Sequence, residues 1–271
     1  MITANWIRHT AIQIGSIYTA TLDMDYTIDS TTTDATAATA TIKIYNLAPQ
    51  TIAKIAAGDR VTLEGGYQAD HGIIYLGRVA TVTQGRDGAD TYAEITCTDY
   101  TWPASMRTRS YPKGTRIGDM LRTLYADAAL PIGPIIADLG ATTTDAYTTD
   151  PNGKTTLDQL ISMINGDPDV IAASISVHHA IIGGAACVVA SNQTTTDTHI
   201  ISRKTGLIST SPETDDGIDM TVTTLLNWRI QIDAAVELTT LGHGSGTYKV
   251  ASYRHQAEGD RYQTIIKLTA L

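Results

Sequence analysis

The side chains best suited to chemistry are few and scattered in this chain of 271 residues. His178 and His179 are adjacent, and His199 is the nearest further imidazole in sequence. Neighbours on a strand point to opposite faces, so this pair does not chelate one ion. A zinc site also needs additional His or Cys at ligand spacing. Ser245 lies in Gly242-His243-Gly244-Ser245-Gly246, outside the Gly-x-Ser-x-Gly frame of a nucleophile elbow. Those glycines open no helix, so they read as a hairpin loop and not as a phosphate cradle. Asp215-Asp216 and Glu258 with Asp260 read as solvated turns, since a glycosidase needs two carboxylates facing across a cleft. Asp23, Asp25 and Asp29 form a carboxylate comb that could hold a hard cation. It lacks the fixed Gly and distal Glu of an EF-hand loop, and its plainer reading is the wetted face of a strand. Cys97 and Cys187 sit far apart in strand-like patterns and read as buried free thiols. No peptidase or lysozyme motif appears. The expectation is a protein with no catalytic residues, no metal and no cofactor.

Composition points the same way. Charged residues make up 17%, below the average of roughly 25% for globular domains. Thr, Ala, Ser and Gly fill the difference, a mixture suited to strands with one wet face. The net charge of −9 argues against nucleic-acid binding, whose footprint is a basic patch. It is compatible with a surface that lets DNA pass without holding it. No apolar run approaches the roughly 18 residues of a membrane span, and no charged-then-apolar leader begins the chain. A soluble protein made in the cytosol, with no membrane partner, is expected.

Hydrophobic periodicity supplies the elements that must position these residues. A first strand is expected near Thr10–Ile14. From Thr21 to Asp29, Leu22, Met24, Tyr26 and Ile28 alternate with the aspartates, a period-two segment. Ser30–Ala40 is a Thr- and Ala-rich stretch expected to form a hairpin arm that orders against a neighbouring subunit. Ile42 to Tyr45 alternates again. Asn46 starts a turn, Pro49 opens a short helix, Ile52, Ile55 and Ala56 give it an apolar stripe, and Gly58 ends it. Val61–Gly66 and Gly72–Gly77 form a hairpin, and Thr91–Tyr100 is a further strand. Thr115 caps a helix carrying Ile117, Met120, Leu121, Leu124 and Tyr125 on one face. A second helix spans Thr156–Ile164, then Val170–Val177 and Ala185–Ala190 form a hairpin. Ala235–Leu241, Gly246–His255 and Tyr262–Ala270 close the chain as strands. The fold class is mainly β with an α+β insert, divided as 1–108, 109–204 and 205–271.

The order of the stretch from Ile42 to Gly77 resembles the N-terminal domain of the baseplate hub proteins of long-tailed bacteriophages. The matching residues are Asn46, Leu47, Gly58, Asp59, Arg60, Val61, Leu63, Gly66, Tyr67, Gly72, Ile74, Tyr75 and Gly77. The family usually carries Phe where Tyr75 stands. In the middle of the chain, Leu130-Pro131-Ile132-Gly133 and Leu157-Asp158-Gln159-Leu160 are similar to the family's two helix motifs. Thr205, Gly206, Leu207, Ile208, Pro212, Gly217, Leu225, Leu226 and Asn227 resemble the entry to its second barrel. Gly246, Tyr248, Val250 and His255 resemble its closing hairpin. After Leu225-Leu226-Asn227 the family has prolines and a Pro-Gly-Arg element, where this chain has Trp228 and Ile232-Asp233.

The resemblance implies two small tail-tube-like β-barrel domains bridged by an α+β domain, in a virion protein of the tail baseplate. Three copies would form a ring that adapts a six-fold tube to a three-fold central spike around a DNA channel. Implied partners are the protein itself as a homotrimer, the tail tube protein and the central spike protein. Baseplate wedge, distal tail and tape measure proteins are further candidates, with DNA only in transit. Thr31, Thr32, Thr33, Thr36 and Thr39 are the expected interface residues, and Asp23 and Asp25 the expected lumen-facing ones. Two other classes stay open: another tail ring protein (tube, tube initiator or distal tail protein), or a cell-wall-acting or glycan-binding tail module.

Overall fold

The computed structural model describes residues 7–31, 38–100, 102–135, 140–195, 198–213, 217–240 and 244–271. The described residues form two compact units, one made of those up to 100 and from 195 onward, the other of 102–194. The protein is mainly β.

The first unit begins with β1 (Arg8–Ile14), β2 (Ile17–Thr19), β3 (Met24–Thr31) and β4 (Thr39–Tyr45). After the single-turn helix α1 (Pro49–Ile52) come β5 (Arg60–Tyr67), β6 (Asp70–Asp87) and β7 (Asp90–Thr98). Asn46 turns the chain at φ 56. α1 is shorter than its pattern suggests. Ile52 and Ile55 are buried, but Ala56 is exposed, because its N–H is taken by the Asp59 carboxylate at 2.9 Å in place of a helical carbonyl.

The second unit holds β8 (Ser110–Tyr111), α2 (Ile117–Asp127), β9 (Ile132–Ile135), β10 (Tyr147–Thr148), α3 (Gly153–Asn165), α4 (Pro168–Ala172), β11 (Val177–Ile182) and β12 (Ala185–Ala190). α2 buries the apolar face read from its spacing, Ile117, Met120, Leu121, Leu124 and Tyr125. Its N-cap is Arg116 and not Thr115, whose hydroxyl instead donates to the Pro112 carbonyl at 2.7 Å. α3 starts three residues before Thr156, because the Asn152 side chain accepts from the N–H groups of Lys154 and Thr155. The strand expected over Val170–Val177 is not there. Asp167 caps and Pro168 opens α4, an N-terminal signature that outranks the β-branched residues behind it. Val177 alone of that span lies on a strand.

The chain then returns to the first unit with β13 (His199–Ile201), β14 (Leu207–Pro212), β15 (Met220–Leu225), β16 (Ala235–Leu238), β17 (Gly246–Glu258) and β18 (Arg261–Ala270). Among the described residues one thirteen-stranded sheet runs β14-β15-β18-β17-β3-β4-β7-β6-β5-β1-β2, with β16 on β17 and β13 on β16. All its pairs are antiparallel except β13–β16. Among the described residues the path closes into no barrel. Two long strands change partner along their length. β6 pairs with β5 through Asp70–Arg78 and with β7 through Arg78–Asp87. β17 pairs with β16 through Gly246–Lys249 and with β3 through Ser252–Ala257. Each changeover carries a bulge, between Val79 and Thr81 in β6 and between Val250 and Ser252 in β17; such an insertion bends a strand and sharpens its twist.

The sheet covers two apolar clusters. One gathers Ile12, Ile14, Ile28, Ile42, Ile44, Val61, Leu63 and Ile95. The other gathers Val222, Ile230, Val236, Val250, Ile266 and Leu268. Tyr262 on β18 reaches the first cluster. Its hydroxyl accepts from Gly66 N–H at 2.8 Å and donates to the His9 carbonyl, so a C-terminal side chain bridges two N-terminal strands. The segment that departs from the family pattern is also anchored. The Trp228 indole donates to Asp70 at 2.8 Å beside an Arg229–Asp70 ion pair, and fully buried Asp233 pairs with Lys249 at 3.2 Å.

Replacing Tyr262 with Phe takes their hydroxyl partner from a buried N–H and a part-buried carbonyl. Urea denaturation should show a loss of roughly 1–3 kcal/mol, with an unchanged far-ultraviolet spectrum; a loss below about 0.5 kcal/mol would mean that the bridge is unimportant.

Candidate functional site

Strand register converts the composition into a surface. On the buried side of β3, β4 and β7, Met24–Ile44–Ala93, Tyr26–Ile42–Ile95 and Ile28–Ala40–Cys97 stand in rows. The period of two sends the intervening residues to the other face. There the rows are Asp25–Lys43–Glu94, Thr27–Thr41–Thr96 and Asp29–Thr39–Thr98. Neighbouring strands extend them: Gln256 pairs with Thr27 and Arg254 with Asp29, while Thr81 pairs with Thr96 and Thr83 with Glu94. The result is a five-strand face of hydroxyls, amides and alternating charges. Cross-strand Thr pairs at these distances are themselves favourable contacts.

The carboxylates on this face are engaged. Tyr45 OH donates to Asp25 at 2.9 Å, and that bond holds the Tyr45 phenol up at about 12. Lys43 lies 3.6 Å from Glu94, and Arg254 pairs with Asp29 at 2.6 Å. Asp23 precedes β3, is exposed, and its backbone carbonyl accepts from Tyr45 N–H. Thr31 ends β3 and Thr39 begins β4, and the two strands pair antiparallel. Thr32, Thr33 and Thr36 lie outside the described residues.

The other chemically suggestive residues among those described are dispersed over both units. His178 and His179 face opposite ways on β11, as their spacing requires. His179 is buried, its Nδ1 lies 2.9 Å from Tyr125 OH, and burial pulls its pKa down to about 4. His199 belongs to the other unit. His255 is buried in the first unit against Thr264 Oγ1 at 2.9 Å, and burial takes its pKa to about 3. Ser245 closes its loop on Thr240, accepting from its N–H at 3.0 Å. Both cysteines are buried free thiols, and burial pushes Cys97 to about 12. Glu258 joins Arg261 at 3.8 Å in the β17–β18 turn. The Asp260 carbonyl accepts from Arg8. Asp215, Asp216, Gly242 and His243 lie outside the described residues.

Two groupings escape a linear reading. The threonine rows depend on register, although the Thr-rich alternation around Thr27, Thr41 and Thr96 hints at them. His9, Glu64 and His71 come together from three strands, with no local motif to announce it.

No protein-family model and no curated protein sequence matches the chain. Its fold is nevertheless shared, nearly end to end, with solved tail proteins. A tail protein from Neisseria meningitidis MC58 aligns with TM-score 0.67 and 13% identity over 98% of this chain and 97% of that one. The 43 kDa tail protein of prophage MuSo2 from Shewanella oneidensis aligns with TM-score 0.68 and 9% identity over 97% of both. An E. coli component of the type VI secretion system, itself similar in structure to the T4 bacteriophage tail proteins gp27 and gp5, aligns with TM-score 0.63 and 8% identity over 96% of this chain and 76% of that one. The chain thus shares its fold with these tail proteins, and at these identities the likeness is one of fold.

The buried histidines set a pH dependence. An unfolded His titrates near 6.5, so between about pH 6.5 and pH 4 each of these two residues binds more protons in the unfolded chain than in the native one. Their contribution to stability is full above that window and falls on acidification, by up to about 1.4 kcal/mol per pH unit for each such His. His179→Gln should flatten part of this slope in urea titrations at pH 7, 6 and 5; an unaltered slope would show that His179 is not held neutral.

Proposed function

We propose that this chain is a structural subunit of a tail baseplate hub, in which three copies form a ring joining a six-fold tail tube to a three-fold central spike. The observation that carries this reading is the mutual coverage of about 97% with two tail proteins. Assembly, not catalysis, is the role. The two apolar clusters support two tube-type barrel domains, with the α+β unit falling between them in the chain. Among the described residues the strands β2, β13 and β14 each have a single neighbour, and unpaired edges are met in a ring by pairing between subunits. The hairpin with Thr31, Thr32, Thr33, Thr36 and Thr39 is assigned to a subunit contact.

The polar face, with Asp23 and Asp25, is assigned to the DNA channel. Hydroxyl rows and paired charges offer a hydrated wall that gives phosphates no basic patch to bind. The tail tube and central spike proteins are the axial partners. Wedge, distal tail and tape measure proteins are peripheral ones, in a virion tail or a tail-like particle.

Mass photometry of the purified protein should give a species near three times 28.9 kDa, and class averages of tails should give a three-fold ring at the distal end of the tube. A six-fold ring would instead make it a tube, initiator or distal tail protein. A monomer missing from particles would return attention to a glycan-acting module. Reversing Asp23 and Asp25 to Lys should leave ring assembly intact and slow DNA delivery, because cations on the wall hold passing phosphates; unchanged delivery would remove both residues from the channel.

A further inference from the structure

Three side chains from neighbouring strands meet where sequence alone predicts no metal site. In the β1–β5–β6 register His9 lies opposite Gly66, and Gly66 opposite His71. The two imidazoles therefore flank a residue without a side chain. Their rings approach to 3.8 Å between centroids, tilted by 33°. Two positions back on β5, Glu64 lies on the same face as Gly66. Its Oε2 is 3.5 Å from His9 Nε2, a buried nitrogen that makes no hydrogen bond. One ligand atom from each of His9, Glu64 and His71 lies within 4.8 Å of the others.

The surrounding backbone holds this arrangement. Gly66 has φ +137, and a Cβ there would stand 2.6 Å from the Asp70 carbonyl and 2.7 Å from His71 Cα. No other residue permits the approach of β5 to β6 at this row. The Tyr262 hydroxyl fixes the same row from the other strand pair through Gly66 N–H and the His9 carbonyl.

We propose that His9, Glu64 and His71 bind a divalent transition cation of the zinc class, with a fourth coordination position open to water. Two imidazoles and one carboxylate suit zinc and its neighbours, whereas calcium and magnesium take oxygen ligands. Bonds of about 2.0–2.1 Å in a tetrahedron separate ligand atoms by roughly 3.4 Å. The His9–Glu64 edge already has that length, and a turn of His71, the most exposed of the three, completes the set. The ion would tie β1, β5 and β6 together at the β2 end of the sheet, stabilising the folded chain by mass action.

The test uses the full-length protein without an affinity tag, titrated calorimetrically with zinc chloride and followed by thermal melting. One equivalent should bind with a rise in Tm, and cobalt(II) should give the visible absorption of a four-coordinate site. His71→Ala and Glu64→Gln should each weaken zinc binding by at least about tenfold, the lower end of losses seen when metal sites are altered, while their metal-free melting stays that of the wild type. The proposal is overturned if the wild type shows neither heat nor a Tm shift at about 100 μM zinc, a concentration well above the dissociation constant of a built three-ligand site. It is equally overturned if both variants bind zinc as tightly as the wild type, which would place the ion elsewhere.

Discussion

The structure depends on how β17 divides its hydrogen bonds. Its first half pairs with β16 and its second half with β3, while β18 runs beside both. Backbone N–H and C=O groups inside a sheet must be paired, so this strand can serve two partners only by shifting between them. The extra residue at Ala251 makes that shift possible, and the bulge turns the strand from one apolar cluster toward the other. Without that strand the segments at the two ends of the chain would be separate sheets with exposed edges. Tyr262 and the Trp228–Asp70 contact reinforce the same union from the side-chain level, linking residues far apart in sequence through polar atoms satisfied at both ends.

The low charge content follows from this architecture. A sheet face that is neither core nor strongly charged must be covered by short side chains that hydrogen-bond to water and to each other. Thr meets both needs and favours the extended backbone. The few charges present are matched across strands, Lys43 with Glu94 and Arg254 with Asp29. The face is therefore wet and close to neutral, although the chain as a whole is acidic.

Histidine illustrates how one residue type divides by environment. His179 and His255 lie in apolar surroundings, each within reach of one hydroxyl, and burial keeps them neutral and inert. His9 and His71 sit near the surface beside a carboxylate, with a buried ring nitrogen left unused. The adjacent pair His178-His179, conspicuous in the sequence, is divided by the pleat. His9 and His71, 62 positions apart, are joined by it.

Much of the local structure was legible beforehand. Alternation at Tyr26, Ile28, Ile42 and Ile44 set both the strands and their buried face, and the spacing of Ile117, Met120, Leu121, Leu124 and Tyr125 set α2, since both patterns are local consequences of backbone period. Capping was read less well. Asn152 and Asp167 start helices that apolar spacing alone placed too late or missed, and Asp59 ends one early by competing for a backbone N–H. The resemblance in residue order also pointed to the tail-protein fold that the solved structures share. What only the tertiary structure decided was partnership: which strand lies beside which, where β6 and β17 change neighbours, and which side chains therefore meet. The threonine rows and the His9–Glu64–His71 cluster arise from antiparallel register between distant segments. Register is set by bulges, turns and core packing acting together, and a linear sequence does not display that sum.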